Sequence, residues 1–248
     1  GCAIRNLTGG VGNNRHVYFN RPNFTGDSRL LVYLSDRTGS WQVYAHDLVL
    51  NRVRRVTACT QNPGRPSVDQ CRPVIYFTQG DAVHRLHLET LEETVIYTHP
   101  TPAGGTFLLM DLSADGQYLG FLETGPYERD ADGSRNFVRL FEARPLSSLW
   151  VSTSDGVKVW RVHEEKRHLQ HLLFCPTDPT TLLFCHEGPW DRVEQRMWLI
   201  KWDGTGLRPL RYEEHPEIRI GHEYWLPDGR TVAYRSEEHT SELQSPNT

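Results

Sequence analysis

The chain has 248 residues, of which 38% are hydrophobic and 10% aromatic, and its formal net charge is −4. Such a composition describes a soluble globular protein with enough apolar material for one large domain or two small ones. Lys and Arg are scattered rather than clustered, which excludes nucleic acid as the expected partner, and no apolar run approaches the ~20 residues of a membrane-spanning helix, so no membrane association is expected. The five cysteines (Cys2, Cys59, Cys71, Cys175 and Cys185) are odd in number and lack C-x-x-C spacing. They read as free thiols rather than as a zinc site or a disulfide framework.

The chain opens GCAIRNLTGG, without a methionine, so a start further upstream is expected. The first strand falls at Leu30 to Leu34 in DSRLLVYLSD. A turn at Gly39 follows, then an alternating strand from Trp41 to Leu48 and a third run ending at Val56-Thr57. Val74 to Phe77, Val83 to Leu88 and Thr94 to Tyr97 repeat that order about 44 residues later. The pattern returns in DGQYLGFLETG, is interrupted by an insertion at PYERDADGSRN, returns in TTLLFCHEGPW with RMWLIKWDGTGLRPL, and opens once more in LPDGRTVAY. Long 3.6-residue periodicity is almost absent.

Strand and turn recurring at this period predict an all-β fold built of β-propeller blades, about four complete and a fifth beginning. Because a propeller covers its blade faces by closing into a ring, residues 1–235 are expected to form an incomplete β-propeller. Beyond Tyr234 the apolar alternation stops. RSEEHTSELQS resembles a translated sequencing-library adapter, and residues 236–248 read as a non-native or disordered tail, leaving His239 out of any site.

Polar chemistry concentrates in HLQHLLFCPTDPTTLLFCHEGPWDRVEQRMWLIKWDGTG and in GHEYWLPDGR. The innermost strands of a propeller line its channel, and loops at one end of them form the usual binding face. His171, His186 and His222 are placed at or beside inner strands of successive blades, and Arg196 just before a strand, so the four are expected to converge. Each has a plainer reading. His222 would bond a neighbouring backbone group, Arg196 would form a solvated salt bridge with Asp191 or Glu194, and His186 with Glu187 would fix the loop at Gly188-Pro189. Trp190, Trp198, Trp202 and Trp225 offer sugar-stacking faces, although blade packing accounts for most of them.

LLFCHEGPWDRVEQRMWLIKWDGTGLRPL and GHEYWLPDGRTVAY, with LETLEETVIY and YFNRPNFTGDSRLLVY, resemble the oligogalacturonate lyase family, seven-bladed bacterial propellers that cleave short pectin fragments. The resemblance runs over residues ~11 to 234. It implies β-elimination in an oligogalacturonide, with loss of the C5 proton α to a carboxylate and formation of a 4,5-unsaturated uronate. In that family pattern His222 matches the catalytic base, a role that suits an imidazole because its ordinary pKa of ~6.5 leaves it mostly neutral at working pH. Arg196 matches an active-site arginine. His171, His186, Glu187, Arg21 and His16 are the candidate substrate-binding residues.

Manganese is the implied cofactor, neutralising charge as the enolate-like species forms. Its His and Gln ligands lie in later blades of the family, so no metal ligand is assigned in this chain, from which no tight manganese binding and little turnover are expected. A cytoplasmic location agrees with the unpaired cysteines. Two other classes stay open. One is a non-catalytic propeller scaffold. The other is a hydrolase: the propeller part of a serine peptidase, which would need a G-x-S-x-G elbow, or a glycosidase, for which Glu187 and Glu223 are the one carboxylate pair to nominate.

Overall fold

A computed structural model describes residues 4, 6–8, 10–130, 136–189, 191–211 and 219–237. Four consecutive four-stranded antiparallel sheets follow one another along the chain. Blade 1 holds β1 (Asn14–Arg15), β2 (Leu30–Ser35), β3 (Gln42–Asp47) and β4 (Arg52–Arg55), and blade 2 holds β5 (Ser67–Val68), β6 (Val74–Gln79), β7 (Ala82–His87) and β8 (Glu93–Thr98). Blade 3 holds β9 (Thr106–Leu112), β10 (Tyr118–Thr124), β11 (Leu146–Thr153) and β12 (Val159–Lys166), with α1 (Phe137–Ala143) between β10 and β11. Blade 4 holds β13 (Leu169–Cys175), β14 (Asp178–His186), β15 (Met197–Lys201) and β16 (Arg208–Pro209), and a fifth sheet pairs β17 (Arg219–Trp225) with β18 (Val232–Glu237). In every sheet the spatial order is the sequence order, which is the meander of a propeller blade.

The alternation in the sequence becomes packing between blades. Leu30, Val32, Leu34, Val43 and Ala45 of blade 1 meet Ile75, Phe77 and Leu86 of blade 2. Tyr76 and Val83 of blade 2 meet Phe107, Leu109, Leu119 and Phe121 of blade 3. Leu122, Leu149 and Val151 then meet Leu172, Phe174, Leu182 and Phe184 of blade 4. Leu173, Leu183 and Met197 meet Ile220 of the fifth sheet. At ~25 cal/mol per Å2 of apolar surface removed from water, these sheet-to-sheet layers are the main favourable term in the fold. Asp228-Gly229 makes the turn into β18. Gly229 has φ 61 there, and a Cβ on it would lie 1.9 Å from Thr177 Oγ1 of blade 4, so the turn and its close approach both require glycine.

Two expectations shift. The strands read from the sequence as first in blades 1, 2 and 3 are second, because a further strand precedes each nearer the channel. Two of these inner strands, β1 and β5, span two residues each and carry no apolar alternation to read. At the other end, β18 runs to Glu237, two residues past the boundary drawn at 235, since ladder pairing of Ile220 with Ser236 needs no apolar side chain. Residues 238–248 lie outside the described residues, as do Trp190 and His239. The insertion PYERDADGSRN leads into α1, whose N-terminus is capped by the Asn136 side chain accepting from the Arg139 amide. A Cβ on Gly188 would meet the Phe141 ring, so α1 sits directly against the loop after β14.

Candidate functional site

The inner strands β13 and β17 carry the same irregularity. His171-Leu172 oppose one residue of β14, and His222-Glu223 oppose one residue of β18, each a β-bulge with one residue too many. The histidine that opens each bulge has a left-handed backbone, φ 53 at His171 and φ 57 at His222. Such a conformation is costly for a residue with a Cβ and concentrates at functional sites. The residue after each histidine points between blades: Leu172 packs in the apolar layer between blades 3 and 4, and Glu223 takes the corresponding place between blade 4 and the fifth sheet. A carboxylate with 0% exposure thus stands where an aliphatic side chain would otherwise pack.

Compensation for that burial is complete. His171 Nδ1 donates to Glu223 Oε1 at 2.9 Å, and Arg196 Nε lies 3.4 Å from Glu223 Oε2. Arg196 also grips Glu187 in two bonds, Nη1 to Oε1 at 2.7 Å and Nη2 to Oε2 at 3.0 Å. Burial alone would raise the Glu223 pKa, yet the His171 hydrogen bond and the charges of His171 and Arg196 hold it well below the usual carboxylate range. For Arg196 burial acts downward, and the carboxylates of Glu187 and Glu223 more than offset it, so the guanidinium stays charged. Burial, reinforced by Glu223, pushes the Cys185 thiol well up and keeps it protonated.

A depressed carboxyl contributes stability that is present above its ordinary pKa of about 4.5 and is lost as pH falls below that value. Melting temperature should therefore drop below about pH 4.5, and Glu223→Leu should lose less over the same window; parallel curves for the two proteins would contradict the assignment.

Two aromatic residues from the loop after β1 reach across to these histidines. Tyr18 Oη lies 3.2 Å from His171 Nε2, which accepts from the phenol when the ring is neutral with its proton on Nδ1. The Phe19 ring stands edge-on to His222 at 4.9 Å and to His171 at 5.8 Å between centroids. His222 is exposed. Of the sequence-nominated residues, the structure therefore gathers His222, His171, Arg196 and Glu187 around Glu223, and adds Tyr18, Phe19 and Cys185, which lie in the quoted stretches but were not singled out.

His186 is separate. It stands at the end of β14, the second strand of its blade, rather than at an inner strand, and turns toward blade 3, where its Nε2 lies 2.8 Å from Glu165 Oε1. Burial acts upward on Glu165, but hydrogen bonds from His163 and His186 bring it down to about 2. Arg196 differs from the plainer reading too: its partners are Glu187 and Glu223, and it is 5% exposed. Trp198 packs on His186 and Trp202 on Tyr118 and Trp160, which makes both blade-packing aromatics. Trp225 packs beside the layer between blade 4 and the fifth sheet.

Arg21, 6% exposed, ties three blades together by donating to the carbonyls of Arg65 and, at 2.8 Å, Leu109. Burial lowers its pKa to about 10. Behind it Asp111 accepts the Phe174 amide, and burial raises its carboxyl to about 6. A raised carboxyl favours folding below its ordinary value and loses that contribution as pH climbs through about 6, here about 3 kcal/mol at most. Asp111→Asn keeps the acceptor for Phe174. It should match wild type near pH 4 and exceed it at pH 8 in urea unfolding; equal stabilities at pH 8 would refute a buried, costly charge.

One trio of metal-binding side chains is close-set among the described residues: His171, Cys185 and Glu187, with donor atoms within 4.8 Å of one another. All three are committed. His171 is held between Glu223 and Tyr18, Glu187 is clamped by Arg196, and Cys185 keeps its proton. A protonated thiol is a poor ligand for a cation such as Mn2+, and Glu187 is already clamped by Arg196, so this trio does not fit it.

Four complete blades, the start of a fifth, and a polar cluster gathered from adjacent inner strands define a β-propeller with a channel-side site. A family model described as "Oligogalacturonate lyase" matches residues 1–244, and the chain belongs to that family. The oligogalacturonate lyase of Dickeya dadantii (strain 3937) is 28% identical over 221 residues, 88% of this chain and 57% of that protein. The chain thus spans little more than half the length of this relative. A solved oligogalacturonate lyase in complex with manganese superposes with a TM-score of 0.80 and 26% identity, covering 92% of this chain and 61% of that one. An oligogalacturonate lyase from Vibrio parahaemolyticus gives 0.82 and 25%, covering 95% and 63%.

Proposed function

We propose that this chain carries the proton-abstracting part of an oligogalacturonate lyase that cleaves short pectin fragments by β-elimination. The observation that carries the reading is His222, an exposed imidazole on a left-handed bulge, fixed against Phe19 beside the buried Arg196–Glu223–His171 network of a chain in that family. In the reaction His222 takes the C5 proton of a uronate. The electron pair, steadied by the C6 carboxylate, forms the C4–C5 double bond as the C4–O bond breaks; the leaving sugar oxygen takes that bond's electrons and picks up a proton, and a 4,5-unsaturated ring remains at the new non-reducing end. Arg196 acts as a positioning residue, since Glu187 and Glu223 occupy its guanidinium. Manganese, present in the solved relative, would supply charge neutralisation in the complete enzyme, and the donor trio described above does not provide its site.

The same geometry weighs against a glycosidase. Glu187 and Glu223 share one guanidinium, and a general acid needs a raised pKa whereas Glu223 is held down. We also place the protein in the cytoplasm, in keeping with free Cys59, Cys71, Cys175 and Cys185. The test is to incubate trigalacturonate and manganese with the protein carrying all its blades and follow the ultraviolet absorbance of the new conjugated double bond. Reducing ends appearing without that absorbance would identify a hydrolase and overturn the lyase reading.

A further inference from the structure

A cleft of about 700 Å3 opens beside this site, between the start of blade 1, the loop before β5 and the inner strand of blade 3. It is large enough for two or more sugar rings. Arg15, His16, Arg21 and Arg65 line it, and among the described residues none of its lining side chains is acidic. Neither Arg15 nor Arg65 is within salt-bridge distance of a carboxylate among the described residues, although both are exposed. Each instead has its guanidinium carbon over an aromatic ring that lines the same cleft, Arg15 over Trp41 at 4.3 Å and Arg65 over Tyr18 at 4.2 Å. A guanidinium held over a ring keeps its charge and its fork of N–H donors, the group that receives a carboxylate in two parallel bonds. Deeper in the wall, the buried Arg21 has an Nε with no hydrogen-bond partner among the described residues. Such an unspent donor is costly unless something polar reaches it.

Tyr18 joins the cleft to the histidines, since its ring carries Arg65 and its hydroxyl meets His171. We propose that Arg15 and Arg65 form a carboxylate subsite for a second uronate, one that adjoins in the same oligomer the ring reacting at His222. The inference rests on the lyase reading for the identity of the ligand, and on the cleft itself for its charge. It makes the enzyme selective for substrates with at least two free carboxylates, because a methyl ester at the second ring removes the charge the two arginines receive.

Calorimetric titration of the 248-residue chain, its Arg15→Gln and Arg65→Gln variants and its His222→Ala variant would test this, with trigalacturonate, its methyl ester and citrate as probes. Both arginines are exposed, so their variants should fold as wild type. The expected result is trigalacturonate binding weakened about 10- to 100-fold by either arginine change, with little change in His222→Ala and weak ester binding throughout. Trigalacturonate binding unchanged in both arginine variants would overturn the subsite and leave the lyase reading standing. Arginine-dependent binding of citrate without trigalacturonate would overturn the uronate assignment and the lyase reading with it, and binding of neither probe would overturn the subsite outright.

Discussion

Arg196→Leu should cost about 3–5 kcal/mol of stability, a fall of about 10 °C in melting temperature for a chain of this size. Its guanidinium, 5% exposed, joins two carboxylates, and one of them, Glu223, has no exposure at all. Removing the cation leaves Glu223 charged in an apolar layer with His171 as its remaining support. Replacing the pair together is a different matter. Leucine is the residue at the equivalent bulge in blade 4, where Leu172 packs between sheets, so Arg196→Leu with Glu223→Leu should recover most of the loss, as buried ion pairs exchanged for well-packed apolar groups commonly do. Urea unfolding of wild type, the single and the double variants measures both effects. A single variant within ~1 kcal/mol of wild type would mean that solvent reaches the network.

His222→Ala should lower the rate of double-bond formation about 10^2- to 10^4-fold, the usual range for a lost general base, while leaving the melting temperature almost unchanged. The two readouts separate because His222 is exposed and its recorded ring contact is with Phe19, whereas its neighbour Glu223 carries the packing and the hydrogen bonds. Alanine also retains a Cβ at φ 57, so the change adds no conformational freedom at the bulge. A loss of less than tenfold would assign proton abstraction to another group. Loss of stability together with rate would show that His222 serves the bulge rather than the chemistry.

Particular residues show how far the sequence could be read. Val74 to Phe77 and Val83 to Leu88 stand in strands within two residues of the expected limits, because sheets buried on both faces select apolar and β-branched residues wherever they run. The GHEYW and CHEGPW motifs marked the blades that hold the site. They did not show that His186 and Glu187, adjacent in the chain, turn toward different neighbours, His186 to Glu165 and Glu187 to Arg196. Strand alternation makes such a division inevitable, yet which face belongs to which blade depends on register. The short inner strands β1 and β5 left no pattern, since two channel-facing residues carry no period. The contact of Tyr18 and Phe19 with the histidines was hidden for a related reason: Tyr18 belongs to a loop 153 residues before His171 in the chain, and only packing of the blades around a shared centre brings the two together.

By itself, then, the sequence determined the repeating blade and the all-β class, because hydrophobic alternation and turn chemistry are local and are written residue by residue, and it nominated the histidines and arginine from their motifs. Tertiary structure alone decided that Glu223 is the buried centre, that Arg196 is spent on two carboxylates, and that Arg15 and Arg65 face an acid-free cleft. Burial and charge pairing are properties of what surrounds a side chain, and in a propeller those surroundings come from other blades, tens to more than a hundred residues away in the chain.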